Sequence, residues 1–190
     1  MEKDQVIKIF EETGALLSGH FLLTSGRHSD RYIQCAMVLQ HPGHCGELCR
    51  ELASRFAGDG ITAVVGPATG GILISYEVAR HLSARSLFAE RENGRMTLRR
   101  GFQLDPGERV LVVEDVTTTG GSVKAVIEAV REAGGEVAGA AVLVDRSGGQ
   151  AALGVRTESL LEIPAVSYLP EECPLCRQGI PFVKPGSRKI

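Results

Sequence analysis

Val110-Leu111-Val112-Val113-Glu114-Asp115-Val116-Thr117-Thr118-Thr119-Gly120-Gly121-Ser122 is the stretch that decides the fold. Its apolar, β-branched opening reads as a strand covered on both faces. Two acids follow at once, then three threonines, two glycines and a serine. After them Val123, Val126, Ile127 and Val130 recur at helical spacing, and Gly134-Gly135 stops the helix. The order is strand, acid pair, hydroxyl- and glycine-rich loop, helix.

Each residue type in that loop has a chemical use. Glycines let backbone N–H groups close around an anion, and the helix N-terminus behind them favours negative charge. Threonine and serine hydroxyls add donors. Carboxylates one step earlier suit sugar hydroxyls, or a Mg²⁺ beside a phosphate. Together these features imply a ribose 5-phosphate cradle. The chain has no G-x-x-x-x-G-K-[ST] loop and no G-x-G-x-x-G after a strand, so neither of the common nucleotide loops explains it. An ordinary strand-to-helix turn seldom needs so many consecutive polar and glycine residues.

Working outward, Pro106-Gly107 turns the chain into this strand. Beyond its helix, Val137–Val144 reads as another buried strand, and Asp145-Arg146-Ser147-Gly148-Gly149 stands at its carboxyl end. Leu160–Ile163 reads as a last strand. On the other side, Ser86–Ala89 reads as a strand leading into a polar arm, Glu90 to Gly101, with four arginines and no lysine. Alone, such an arm is equally a solvated hairpin. Ile61–Val65 is a strand followed by Gly66-Pro67-Ala68-Thr69-Gly70-Gly71, a second glycine loop, and an apolar helix from Ile72 to about His81. Two anion loops at strand carboxyl ends fit a ligand with two phosphate groups. Residues 44–57 and 3–13 read as helices. Between them, Gly19 to Gln34 carries strand residues, a Ser-Gly turn and a dense basic and aromatic set; alone, it reads more simply as a solvated hairpin. The alternation predicts an α/β fold, a parallel twisted sheet flanked by helices, with sites at strand carboxyl ends.

Composition bounds the function. The 190 residues suit one domain with a full core, and 43% hydrophobic content is that of a globular chain. The 23 glycines exceed the usual share of roughly 7% and fit several loops approaching ligands. A net charge of −2 gives no field for nucleic acid and no preference for a membrane surface. No apolar run approaches a membrane span, and Met1-Glu2-Lys3-Asp4-Gln5 does not open like a secretory leader. Five cysteines in that context argue for a reducing cytoplasm. The tail motif Cys173-Pro174-Leu175-Cys176 could join Cys45 and Cys49 in a four-cysteine zinc site; reduced structural cysteines are the simpler expectation. A redox role lacks the strand–helix context such a motif needs.

Val112-Val113-Glu114-Asp115-Val116-Thr117-Thr118-Thr119-Gly120-Gly121-Ser122 resembles the PRPP motif of type I phosphoribosyltransferases, PRPP being 5-phosphoribosyl 1-pyrophosphate. Gly19 to Ser29 is similar to the G-x-F-x-L-x-S-G-x-x-S form that opens the orotate phosphoribosyltransferases and makes a hood over the base. The resemblance runs from Gly19 to about Gly149. It implies a single domain, 1–190, with a hood at about 14–40 and a core at about 44–165. It implies transfer of ribose 5-phosphate from PRPP to orotate, giving orotidine 5′-monophosphate and pyrophosphate in pyrimidine synthesis, with Mg²⁺ brought by PRPP. It also implies a homodimer with shared sites.

The same resemblance assigns roles. Glu114 and Asp115 hold the ribose hydroxyls beside the developing charge, and Val116 to Ser122 anchor the 5′-phosphate. Ala68, Thr69, Gly70 and Gly71 form the pyrophosphate loop. Arg146, Thr118, Ser25, Tyr32 and Ile33 surround the base, with Arg146 on its carboxylate. Arg91 and Arg95 stand in for the basic residues of the mobile arm, Arg95 reaching the neighbouring subunit. Two departures stand out: Thr24 occupies a position often held by Lys or Arg, and Gly70 one often held by Lys. Arg27, His28 and Arg31 are the residues available to compensate for Thr24. The competing readings are a phosphoribosyltransferase for another base and a non-catalytic PRPP-sensing regulator on the same fold.

Overall fold

The computed structural model describes residues 1–185. Helix α1 (Lys3–Glu12) leads into a hairpin of β1 (Leu16–Leu22) and β2 (His28–Ile33), followed by the short α2 (Ala36–Leu39) and by α3 (Pro42–Ser54). Then come β3 (Ala63–Pro67), α4 (Gly70–Leu82), β4 (Arg85–Glu92), β5 (Arg95–Leu98), β6 (Arg109–Thr117), α5 (Gly121–Glu132), β7 (Glu136–Asp145), β8 (Thr157–Glu162) and α6 (Pro174–Arg177). The main sheet has the order β5-β4-β3-β6-β7-β8, and the β1–β2 hairpin stands apart as its own two-stranded sheet.

The sheet's interior follows from alternation along its strands. All of Val110, Leu111, Val112 and Val113 are fully buried. Leu111 and Val113 pack with α1, α3 and α4 through Phe10, Leu48, Leu52 and Ile74. Val110 and Val112 pack on the opposite face with Val123, Val126 and Val130 of α5. A strand covered on both sides has no polar alternation, which is why its sequence reads as one apolar run.

The chain leaves β3 for β4 on one side and returns to β6 on the other. The β3–α4 and β6–α5 loops therefore diverge to opposite faces at the carboxyl ends of two neighbouring strands. A crevice opens at such a switch point.

The sheet is mixed rather than wholly parallel. Strand β5 runs antiparallel to β4, pairing Glu90 with Thr97 and Glu92 with Arg95. The cause is local: Asn93 and Gly94 both take positive φ, 50° and 83°, as a tight hairpin turn requires. The polar arm is thus largely an extension of the sheet, anchored by buried Met96 and Ala89.

Candidate functional site

The acid pair stands where β6 leaves the sheet. Glu114 is buried, and one of its carboxyl oxygens accepts the Asp115 amide at 3.1 Å. Burial, reinforced by the neighbouring Asp115 charge, pushes the Glu114 carboxyl up to about 8. At neutral pH Glu114 is therefore mainly a neutral acid, able to donate a hydrogen bond. The Asp115 side chain accepts the Val116 amide at 2.8 Å.

Beyond Asp115 the chain wraps a small cup of about 70 Å³, lined by Val116, Thr117, Thr118, Thr119, Gly120, Gly121, Ser122 and Val123. Gly120 caps α5 with φ 79°, and a Cβ there would lie 2.8 Å from the Leu153 side chain, so this turn demands glycine. The first turn of α5 leaves its amides without intrahelical acceptors, pointing at the cup.

The second glycine loop meets the first. A Cβ on Gly70 would lie 2.7 Å from Asp115 Oδ2, and a Cβ on Gly71 would lie 2.7 Å from Pro67 Cδ. Gly70 is thus where the β3–α4 loop closes on the acid pair; any side chain there displaces Asp115. The Ala68–Thr69 peptide bond in this loop is cis.

Arg146 completes the group. Parallel pairing of β6 with β7 sets Thr117 opposite Asp145, and the Arg146 amide donates to the Thr117 carbonyl at 2.8 Å. Its side chain lines a cavity of about 240 Å³ with Asp30, Arg31, Ile163, Pro164 and Val166. Arg146 Nε is buried with no hydrogen-bond partner among the described residues. Burial lowers its guanidinium below the ordinary arginine value. A buried donor left without an acceptor is costly, and a ligand carboxylate would satisfy it in the bidentate manner arginine favours.

The three residues that sequence offered in place of a base-contacting cation separate clearly. Arg27 donates to Ser167 through Nε at 2.8 Å and through Nη2 to the Ser167 carbonyl at 2.7 Å. His28 is buried and turned toward His20, 2.7 Å away. Only Arg31 lines the Arg146 cavity. Of the other hood residues, Ser25 is exposed on the β1–β2 turn, Tyr32 leans on Phe21 with ring centroids 5.8 Å apart, and Ile33 is packed in the core.

Arg91 and Arg95 are not brought to the acid pair of their own chain. Arg91 donates to the Gly94 carbonyl within the hairpin, and Arg95 pairs with Glu132 at 3.0 Å. Glu132 ends α5 while the cup sits at its start. A helix rise of 1.5 Å per residue puts Glu132, the partner of the Arg95 guanidinium, roughly 16 Å along α5 from the cup. The cysteines also regroup. Cys45 and Cys49 are buried along α3 and are not gathered with Cys173 and Cys176. Cys35, against the Asp115 carbonyl at 3.8 Å, is held as a thiol by burial and by the adjacent acids. Among the described residues no helix is long and apolar enough to cross a membrane.

Comparison with known proteins agrees with this geometry. Residues 35–154 match the model of the phosphoribosyl transferase domain family. The chain is 71% identical, over the full length of both, to the orotate phosphoribosyltransferase of Pelotomaculum thermopropionicum, and 65% identical over the full length of both to that of Desulforamulus reducens. The crystal structure of orotate phosphoribosyltransferase from Aeropyrum pernix superposes with a TM-score of 0.67 at 33% identity, covering 83% of this chain and 93% of that one. A strand-end acid pair, a phosphate cup, a second glycine loop and an unpartnered arginine on one crevice, in a chain so close to these relatives, place it in the orotate phosphoribosyltransferase family of the phosphoribosyl transferase domain proteins.

Proposed function

We propose that the chain transfers the 5-phosphoribosyl group of PRPP to orotate, and that Arg146 is the residue that chooses the base. The observation carrying this reading is Arg146 itself, which lines a cavity beside the phosphate cup and whose buried Nε has no hydrogen-bond partner among the described residues. Orotate is a pyrimidine with a carboxylate, and a planar fork matches a carboxylate better than it matches a neutral base. Arg31, on the same cavity, supplies the second positive charge in place of the residue missing at Thr24.

In this reading the Val116–Ser122 loop holds the 5′-phosphate, and the Glu114 and Asp115 carboxyl groups hold the ribose hydroxyls. Glycosyl transfer passes through a cationic, oxocarbenium-like ribose, and the Asp115 carboxylate stands where that charge develops. Glu114, kept protonated by burial, contributes a donor without adding a second negative charge. No strong base is needed, because the substrate nitrogen attacks as an anion. The Asp115 carboxylate beside the Gly70 loop would help hold Mg²⁺, which when bound would supply charge neutralisation of the pyrophosphate leaving group. The Ala68–Gly71 backbone receives that pyrophosphate without a lysine.

We further propose a cytoplasmic homodimer. Leu73 and Tyr76 of α4 expose 50% and 63% of their surface, and Met37 of α2 exposes 40%. We propose that a two-fold covers them and that Arg95 serves the partner's crevice. The test of function is the loss of orotate absorbance with PRPP and Mg²⁺, with uracil, hypoxanthine and adenine as controls. Turnover of orotate alone is the expected result. Equal turnover of uracil would remove the role given to Arg146, and no turnover of any base would favour a PRPP-sensing role.

A further inference from the structure

We infer that His20, His28, Cys173 and Cys176 form a structural zinc site that fastens the chain's tail to the β1–β2 hairpin. One ligand atom from each of the four lies within 4.8 Å of every other. Cys173 and Cys176 are more than 140 residues from the histidines in sequence, yet Cys176 Sγ is 3.2 Å from His28 Nδ1 and 3.7 Å from His20 Nε2. Cys173 Sγ is 3.5 Å from His20 Nε2. Bond lengths of about 2.0–2.1 Å to nitrogen and 2.3 Å to sulfur in a tetrahedron require nitrogen–sulfur edges of about 3.5 Å. The three observed edges scatter around that value. The two ring nitrogens, now 2.7 Å apart, would open to about 3.3 Å around the ion.

The surroundings fix the chemistry of the ligands. His20 Nδ1 lies 2.7 Å from the Ile180 carbonyl, an acceptor only, so the proton sits on Nδ1 and Nε2 presents its lone pair inward. Orientation of a ligating histidine by a carbonyl behind it is the usual outer-shell arrangement. His20 and His28 are 3% exposed and Cys173 is fully buried. Phe182 covers the rings, its centroid 5.8 Å from His20 and 5.1 Å from His28. Among the described residues no carboxylate and no cation hydrogen-bonds to any of the four, so a simple polar network would leave two thiols and two imidazoles, three of the four residues buried, satisfying one another poorly. Two thiolates with two imidazoles select zinc, and four protein ligands leave no open position for substrate, so the site is structural rather than catalytic.

The fold shows what the ion would hold. A two-stranded hairpin alone is marginal in water. Here the tail grips both of its strands: the Leu22 amide donates to the Val183 carbonyl and the Val183 amide to the His20 carbonyl, while His28 and Tyr168 exchange amide–carbonyl bonds. The ligands sit at those same contacts, His20 on β1, His28 on β2, and the cysteines on the turn that precedes Val183. The span between His20 and His28 includes the Ser25 turn and Arg27, and Arg31 lies just beyond. The ion therefore fixes the hairpin that borders the Arg146 cavity.

The test needs no assay of turnover. Protein purified without chelator should carry about one zinc per chain by elemental analysis. Reduced apo-protein titrated with Co²⁺ should develop the visible absorption of tetrahedral, thiolate-bound cobalt, saturating at about one equivalent. Cys176→Ser, at the most exposed ligand, should lose at least about tenfold in metal affinity, while Cys45→Ser should keep it. If Cys173→Ser fails to fold, the wild-type cobalt titration decides. A reduced wild-type protein that takes up neither metal overturns the inference, as does full zinc content in a Cys173→Ser, Cys176→Ser double variant. A Cys173–Cys176 disulfide whose reduction creates no metal site overturns it equally.

Discussion

The two functional regions of this molecule are built in opposite ways. The crevice at the ends of β3 and β6 is local: Glu114 to Ser122 are consecutive, and Gly66 to Gly71 are consecutive. A single strand–loop–helix step creates each half. The His–Cys cluster is dispersed: its members come from β1, β2 and α6 with its N-cap, and only the folding of the tail over the hairpin unites them. A contiguous site draws its geometry from backbone rules and is rigid as soon as its sheet forms. A dispersed one depends on tertiary closure, and a metal is the means by which small, poorly cored elements obtain it.

The largest expected effect falls on the contiguous site. Asp115→Asn keeps shape and removes charge opposite the developing ribose cation. Turnover should fall by about 10²-fold or more with little change in melting temperature. Near-normal kcat in a folded variant would detach the acid pair from the chemistry.

Arg146 sits on the border between the two regions, in a cavity whose other wall includes Arg31 of β2. Arg146→Ala should raise the KM for orotate by roughly ten- to a hundredfold, on the scale of a lost charge-assisted bidentate pair, while the KM for PRPP moves much less. Equal changes in both would make Arg146 a structural residue of the β7 end. Arg31→Ala tests the hood side of the same cavity and should shift the orotate KM in the same direction by a smaller factor.

How much of this was legible follows the same division. Val110 to Ser122 announced strand, anion loop and helix because local steric and hydrogen-bonding rules act on neighbouring residues. The β5 hairpin was legible too, in Asn93-Gly94, but the density of arginine around it gave the segment the look of a free arm. The approach of Gly70 to Asp115 was not legible, since it depends on how two loops meet in space. Nor was the pairing of Cys173 and Cys176 with histidines: spacing joins them equally well to Cys45 and Cys49, and only the antiparallel register of β1 and β2, which sets Leu22 opposite His28, puts His20 near His28. Arg27 was one of three equivalent cations in sequence until Ser167 engaged it.

The arm tests whether the contiguous site is complete within one chain. Arg95 is 76% exposed on its side chain and, among the described residues, is tied only to Glu132, a surface pair worth little. Its guanidinium is paired at the far end of α5 from its own cup, and we propose that it acts on a partner's. Asp115→Asn and Arg95→Ala, each inactive alone, should complement when subunits exchange. About half the dimers formed by random mixing are mixed, and each has one intact site of two, so about a quarter of wild-type activity should return. Full activity of Arg95→Ala alone would shift the role to Arg91, and silence after confirmed exchange would place the arm in cis.

The smallest effect, and the one that isolates burial from catalysis, is the pH dependence carried by Glu114. Its folded-state value of about 8 lies above that of an unfolded chain's glutamate, about 4.3. Below the lower value both states hold the proton and Glu114 has no pH-dependent penalty. Between about pH 4.3 and 8 the unfolded chain releases a proton that the folded chain keeps, so the folded state binds more protons and stability declines as pH rises. Above about 8 the loss is complete. Glu114→Gln is neutral in both states and removes this term. Relative to wild type, the variant should therefore gain stability between pH 5 and pH 8.5, by up to about 4 kcal/mol, read from urea unfolding at the two values. The variant's turnover should fall far less than that of Asp115→Asn, since glutamine still offers a neutral donor where the protonated acid stood. A stability difference between wild type and Glu114→Gln that stays constant over this range would mean that the crevice hydrates Glu114 enough to leave it ionised, and that both acids face the ribose as charges.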